Sequence, residues 1–224
     1  TLIPLLLILF IGVKLVFKFT TNNKVIGLTA LALWLIALVA VISISISMGL
    51  SFANEADSIE QHQIKSPANK TLYIDLKEVD INFEEKWGGL RIAHDASMNQ
   101  SYIYERPDFD VKRSKSGELS LDIKKSARSG NYKSAVTIAE TVRYEFEQKD
   151  SVLYLNPWYE AHFKYAGRIE DVDVTLYVPD GYSVFFYEDV LPIVYDIDNV
   201  SNTSDRNMMG RKWIMKPEGL TLAE

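Results

Sequence analysis

The sequence predicts a mainly β soluble domain preceded by two transmembrane α-helices, and three observations lead there. Residues 1–50 contain no Asp or Glu and only three basic residues, Lys14, Lys18 and Lys24. The other 21 basic and all 30 acidic residues fall in 51–224, so the two parts carry +3 and −9. From Thr71 onward, short segments alternate apolar and polar residues between Gly, Pro, Asn and Asp breaks, the period-2 signature of strands with one wet face. Strands of about five residues recurring every ~8–15 residues predict a repetitive β-meander stacked as a solenoid, a barrel or, as the alternative, a β-sandwich.

The apolar run Val25 to Leu50 is 26 residues without a charge, enough to cross a hydrocarbon core of ~30 Å with some tilt. Ile42 to Ser47 alternates Ile and Ser as a strand would. An open strand in lipid leaves its backbone groups unsatisfied, so a helix is predicted. On that helix Ala40, Ser43 and Ser47 are candidate packing positions for a neighbouring helix. The plainer role for both serines is a hydroxyl bonded back to its own helix. Leu2 to Phe19 is the weaker span, with Pro4 near its start and Lys14 and Lys18 near its end. Snorkelling explains the lysines; an ion-pathway role for Lys14 is the sharper alternative. The chain opens on Thr1 without a charged n-region or cleavage site, so a signal peptide is not predicted and further sequence is expected upstream.

The chain therefore divides into a transmembrane helix at 1–19, a cytoplasmic turn at 20–24, a second helix at 25–50, a strandless polar linker at 51–70 and a β-rich domain at 71–224. All the membrane part's positive charge flanks the turn, while Asn54-Glu55-Ala56-Asp57 on the far side is acidic. The positive-inside rule then places 51–224 across the membrane. The absence of cysteine removes disulfides, Cys-type zinc sites and a Cys nucleophile together. A net charge of −9 argues against nucleic acid, and against anionic headgroups as the domain's main business.

Within 71–224, strands are predicted at Thr71–Leu76, Val79–Phe83 and Leu90–Ile92. Three hairpins follow: Phe109–Lys112 with Leu119–Ile123, Val142–Phe146 with Val152–Leu155, and Val172–Val178 with Tyr182–Tyr187 across Pro179-Asp180-Gly181. Lys212–Met215 closes the set. One short helix is predicted, over Ala135–Thr141.

No catalytic constellation emerges. His62, His94 and His162 are far apart and lack H-x-x-x-H spacing. Asp171 with Asp173, and Asp196 with Asp198, would share strand faces able to hold Ca²⁺, but a solvated acidic face is the plainer role. No nucleophile elbow, P-loop or dinucleotide fingerprint is present. The expectation is a non-enzymatic chain with no catalytic residue, cofactor or metal, whose partners are the lipid bilayer and other membrane or periplasmic proteins. Aromatics cluster as Tyr102 and Tyr104, Trp158 and Tyr159, and Phe185, Phe186 and Tyr187. Filling a core is their plainer role; exposed, they bind glycans or proteins. Trp158 and Tyr159 are adjacent and cannot both point inward from a strand, though in a turn they could; one of them is the candidate contact residue.

Two membrane helices followed by a strand-rich tail resemble the C-terminal part of PspC-type (phage-shock-protein C domain) membrane proteins of the Bacteroidetes kind. The residues behind the likeness are Glu145 to Leu155 with Asn156-Pro157-Trp158-Tyr159, Val174 to Val184 with its Val-Pro-Asp-Gly turn, and Trp213-Ile214-Met215 with Gly219-Leu220. That turn also resembles the toast-rack-like β-domains of envelope-stress proteins. The resemblance implies a non-enzymatic bacterial inner-membrane protein of the envelope-stress or regulatory kind, with a toast-rack-like domain in the periplasm and the defining PspC domain upstream. It implies no functional residues. A structural subunit of a larger envelope complex is the main alternative, and a glycan-binding domain the lesser one.

Overall fold

The computed structural model describes residues 23–87 and 90–223. The chain forms two compact units, 1–49 and 50–224. The expected span at Leu2–Phe19 and residues 20–22 of the turn lie outside the described residues. Asn23 and Lys24, assigned to the turn, belong to the following helix.

That helix, α1 (Asn23–Leu50), runs 28 residues, or about 42 Å at 1.5 Å per residue. Its segment Ala32–Leu50 has mean hydropathy 2.4 and is unburied among the described residues. Its Leu, Ile and Val side chains need an apolar solvent, which water is not. Among the described residues it is the one helix long and apolar enough to cross a membrane. The Ile-Ser alternation is helical, and Ser45 donates its hydroxyl to the Val41 carbonyl at 2.8 Å, the back-bonding that keeps a hydroxyl tolerable in lipid.

The second unit begins with β1 (Asn54–Gln63), β2 (Thr71–Leu76), β3 (Glu85–Trp87), β4 (Leu90–Asp95), β5 (Gln100–Glu105), β6 (Asp108–Arg113) and β7 (Ser120–Ser129). Helix α2 (Tyr132–Thr141) follows, then β8 (Phe146–Lys149), β9 (Val152–Leu155), β10 (Tyr159–His162), β11 (Ile169–Val178) and β12 (Ser183–Phe186). A short α3 (Asp205–Met208), β13 (Lys212–Lys216) and β14 (Gly219–Leu222) complete it. The strands make three open sheets ordered β1-β7-β11-β6, β10-β5-β4-β3 and β14-β13-β12-β2-β9-β8. Among the described residues none is a closed barrel; the domain is β-rich as predicted, but its strand order, with parallel pairs in two sheets, is not that of a meander.

Alternation decides which face each strand buries. In β2, Leu72 and Ile74 are buried while Tyr73 is half-exposed; in β11, Val172, Val174, Leu176 and Val178 point in. The inward residues of all three sheets merge into one hydrophobic cluster that includes Phe109, Leu121, Leu153, Phe186 and Trp213. Asn131 caps α2 by accepting from the Ser134 amide at 2.9 Å. The helix lays Ala135, Ile138 and Ala139 inward and starts three residues before the predicted Ala135.

Four expectations need correction. The strandless linker at 51–70 contains β1, paired antiparallel with β7 over its whole length. Its side chains are mostly polar because it is an edge strand held by backbone bonds, so no apolar pattern announces it. Val79–Phe83 is not a strand. Phe109–Lys112 and Leu119–Ile123 do not form a hairpin, because β11 inserts between them, parallel to β6 and antiparallel to β7. For the same reason Pro179-Asp180-Gly181 is not a hairpin turn: both edges of β11 are occupied, so β12 joins the third sheet between β13 and β2. Gly181 takes φ +81° at that crossing, and Arg113 clamps Asp180 through two hydrogen bonds of 2.6 and 2.5 Å. The β8–β9 hairpin forms as predicted, with β8 starting only at Phe146. Beyond the expected closing strand, β14 adds one more.

Candidate functional site

Trp158 and Tyr159 go to opposite sides of the sheet. Tyr159 is 1% exposed and its hydroxyl donates to Glu105 Oε2 at 2.9 Å; it is a core residue, and burial with Glu105 beside it raises its pKa. Trp158 is half-buried on the other face. The Arg91 guanidinium lies 4.5 Å from its ring centroid, Arg106 lies 5.4 Å away, and Phe83 meets it edge-on at 5.4 Å. Phe83 also takes Arg91 at 5.1 Å and packs on Tyr104 at 5.6 Å. Trp158 is thus part of a cation–π assembly with two arginines over it, rather than a bare stacking platform. Tyr104 donates to Glu160 Oε2 at 2.8 Å, and Tyr102 to Gln100 Oε1 at 3.0 Å. Sequence reasoning named neither Phe83 nor the arginines, because irregular chain and a strand on another part of the sequence supply them.

The third sheet carries the open face. Its inner rows are the core; its outer face sets Phe185 beside Tyr73 in register, with Val152 next. Tyr73 and Phe185 are 5.7 Å apart, Phe185 and Tyr187 5.2 Å, and Tyr73 and Tyr187 6.4 Å. Tyr187 is 40% exposed. Lys212 borders this patch opposite Phe185 and Lys149 opposite Val152. Of the predicted trio, Phe185 and Tyr187 are here while Phe186 is fully buried. Tyr73 was missed, although its place between Leu72 and Ile74 is the alternation that marks an outward residue.

The ionisable candidates have structural partners. His62 meets Phe146 edge-on at 5.0 Å, His94 Nδ1 lies 3.2 Å from Ser101 Oγ, and His162 lies on Tyr102 at 4.8 Å. Among the described residues, no cluster of three His, Asp or Glu side chains has the arrangement to hold a metal. Asp173 accepts from Lys124 at 3.2 Å. On the parallel neighbour, Asp108 faces Asp173; burial, then Asp173, Asp171 and Glu105, push its pKa above the usual carboxylate value. Asp196 and Ile197 donate their amides to Asp205 at 3.0 Å each, so that stretch is a loop scaffold. On α1, Ala40, Ser43 and Ser47 are exposed.

A helix long and apolar enough to cross a membrane, followed in the chain by a domain of three sheets, defines the class of a membrane-anchored β-protein. Residues 1–52 match the PspC transmembrane region, and residues 93–222, more than half the chain, match the family described as ToastRack found in some PspC. The chain belongs to the PspC-type membrane proteins with a toast-rack C-terminal domain. No curated protein matches it. Among solved structures it is similar to a Bacteroides fragilis protein provisionally named an adhesin, at 10% identity and TM-score 0.25. The match covers 59% of this chain and 40% of the other, so the chain spans less than half of that relative's length. At that TM-score nothing is argued from it.

Proposed function

We propose that this is a non-enzymatic regulatory protein of the bacterial inner membrane, of the envelope-stress kind, whose toast-rack domain is a periplasmic interaction module. The observation that carries this is the pairing on one chain of a PspC transmembrane region with a PspC toast-rack domain. The charge split supports the placement, with Lys24 before the apolar segment and Glu55 and Asp57 after it. Because the chain has no cysteine, Lys115→Cys on the exposed Lys115–Glu118 turn gives a single reporter. A membrane-impermeant maleimide is expected to label it from the periplasmic side of intact cells; labelling only after lysis would overturn the placement.

The outer face of the third sheet supports the interaction role. Three clustered aromatics with a polar border resemble the apolar centre and polar rim of protein contact surfaces more than ordinary solvent-exposed sheet. With Tyr73→Ser and Phe185→Ser together, an affinity pull-down of the full-length protein from solubilised membranes is expected to lose its co-purifying protein at least about tenfold, the scale of one interface anchor. Recovery of the same partner by the variant, or of a lone chain by the parent, sinks this reading. A subunit of a larger assembly is the second reading, favoured by the same face; stoichiometric recovery of several proteins together would select it. A glycan-binding role draws less support, since Trp158 is already covered by Arg91 and Arg106.

A further inference from the structure

Where the chain leaves α1 and enters the β-domain, the structure places a groove whose charge is opposite to that of the domain as a whole. It is an open cleft of ≈ 520 Å³ between α2 and the turn before β11. Lys133, Lys164 and Arg168 line it with the hydroxyls of Ser134 and Thr137, and no carboxylate is among its described lining residues. Neither lysine has an ion-pair partner among the described residues, and Lys164 leans only on the Tyr165 ring at 4.7 Å. Arg168 donates to Ser129 Oγ at 3.4 Å and otherwise lies over Phe52 at 5.4 Å from the ring centroid. The groove thus gathers three cations in a domain of net charge −9, whereas Lys124, Lys125 and Arg128 are ion-paired.

The position of the groove says what the missing anion is. Leu50 is the last residue of α1, and its carbonyl lies 3.6 Å from where a Cβ on Gly130 would sit. Asn54 Nδ2 donates to the Gly130 carbonyl at 3.1 Å. The groove's Ser129 and Lys133 therefore flank a backbone in contact with the residue that ends the apolar span. A residue ending a transmembrane helix sits at the headgroup layer, only some 5–8 Å thick on each side. The surrounding aromatics fit that layer: Phe52 is 42% exposed, and Tyr132 and Phe163, each directly preceding a groove lysine, are 63% and 47% exposed. Of these, Tyr132 beside Lys133 is the residue pairing enriched where protein meets the bilayer surface, while Phe52 and Phe163 add exposed apolar area.

We propose that this groove docks on the anionic phospholipid headgroups of the leaflet from which α1 emerges, so that the membrane orients the β-domain through its local positive charge despite its net negative one. The full-length chain is reconstituted into nanodiscs of phosphatidylcholine alone and into nanodiscs in which one lipid in three is phosphatidylglycerol. Amide hydrogen exchange is then followed over residues 129–141 and 163–168. Exchange in both segments is expected to be slower in the anionic discs by about fivefold or more, the scale of one cation's attraction to an anionic surface, and the difference is expected to vanish at ~1 M salt, where the screening length is near 3 Å. Lys133→Gln with Lys164→Gln should abolish the difference while exchange in β11 stays unchanged, which shows the variant folded. Equal exchange in the two discs, protection that persists in the double variant, or protection that survives high salt would each overturn the proposal.

Discussion

Trp213→Ala is expected to cost the β-domain about 3–5 kcal/mol, the range for truncating a buried large aromatic. Trp213 is the bulkiest fully buried side chain of the cluster, at 0% exposure. In register it stands beside Val184 on β12 and Leu222 on β14. Its indole Nε1 donates to the Met208 carbonyl at 3.0 Å, so α3 hangs on it. Removing the ring empties the core and also strands that carbonyl, a loss of about 1–3 kcal/mol where nothing replaces the donor. Typical domains have only ~5–15 kcal/mol in total, so the variant sits near the edge of folding. Urea unfolding of the full chain in detergent, followed by the β signal in circular dichroism, should show a midpoint lowered by ~2 M, with the α1 signal left standing. Trp213→Phe keeps most of the volume and should lose little more than the hydrogen bond. A midpoint for Trp213→Ala within ~0.5 M of the parent would mean the cluster is not the domain's stabilising core.

What the sequence revealed of this fold follows from which forces leave a pattern in it. Burial does: the alternation in Leu72-Tyr73-Ile74 and in Val172 to Val178 marked strands whose inner residues are now in one cluster. Edge pairing does not. β1 buries one apolar side chain, Ala56, and is held by its ladder to β7 and by polar pairs, so its composition looked like a linker. Turn residues announced that the chain reverses or crosses, but not which strand it meets next. That depends on which edges are already taken, and β11 fills a gap between β6 and β7 that no local signal describes. The same limit applied to the sites. Adjacency in a strand would make Trp158 and Tyr159 diverge, whereas a turn would not, and the structure places Trp158 just before β10 with only Tyr159 in the core. That Arg91 and Arg106 then cover the outward ring is a tertiary fact supplied by other parts of the chain. The cationic groove combines Lys133 with Lys164 and Arg168, residues about 30 apart in a sequence whose averages are acidic.

Glu60→Ala should destabilise the domain while Lys125→Met does not, and the contrast tests what fixes the register of β1. Lys125 is an intrusion on the inner face of β7: its side chain is 4% exposed, and its ammonium donates to Glu60 Oε1 on β1 at 2.6 Å. It sits beside the stretch where Lys125, Ser126 and Ala127 are buried in succession, opposite the register shift between Ile169 and Asp171 on β11. Glu60 is 43% exposed, so removing it leaves a buried charge with partial access to water. The expected cost is about 1–3 kcal/mol, below the ~3–5 kcal/mol of breaking a fully buried pair. Methionine at 125 fills similar volume without a charge to desolvate and should be neutral within ~1 kcal/mol. Combining the two should restore most of what Glu60→Ala loses, a favourable coupling that a double-mutant cycle in urea reads directly. A Glu60→Ala variant as stable as the parent, or a double variant no better than it, would show the pair to be incidental. If the cycle holds, the pair acts as a registry device. Slipping β1 by one residue would turn Glu60 to the outer face and leave Lys125 alone, so the strand that follows the membrane helix has one energetically favoured way to join the sheet.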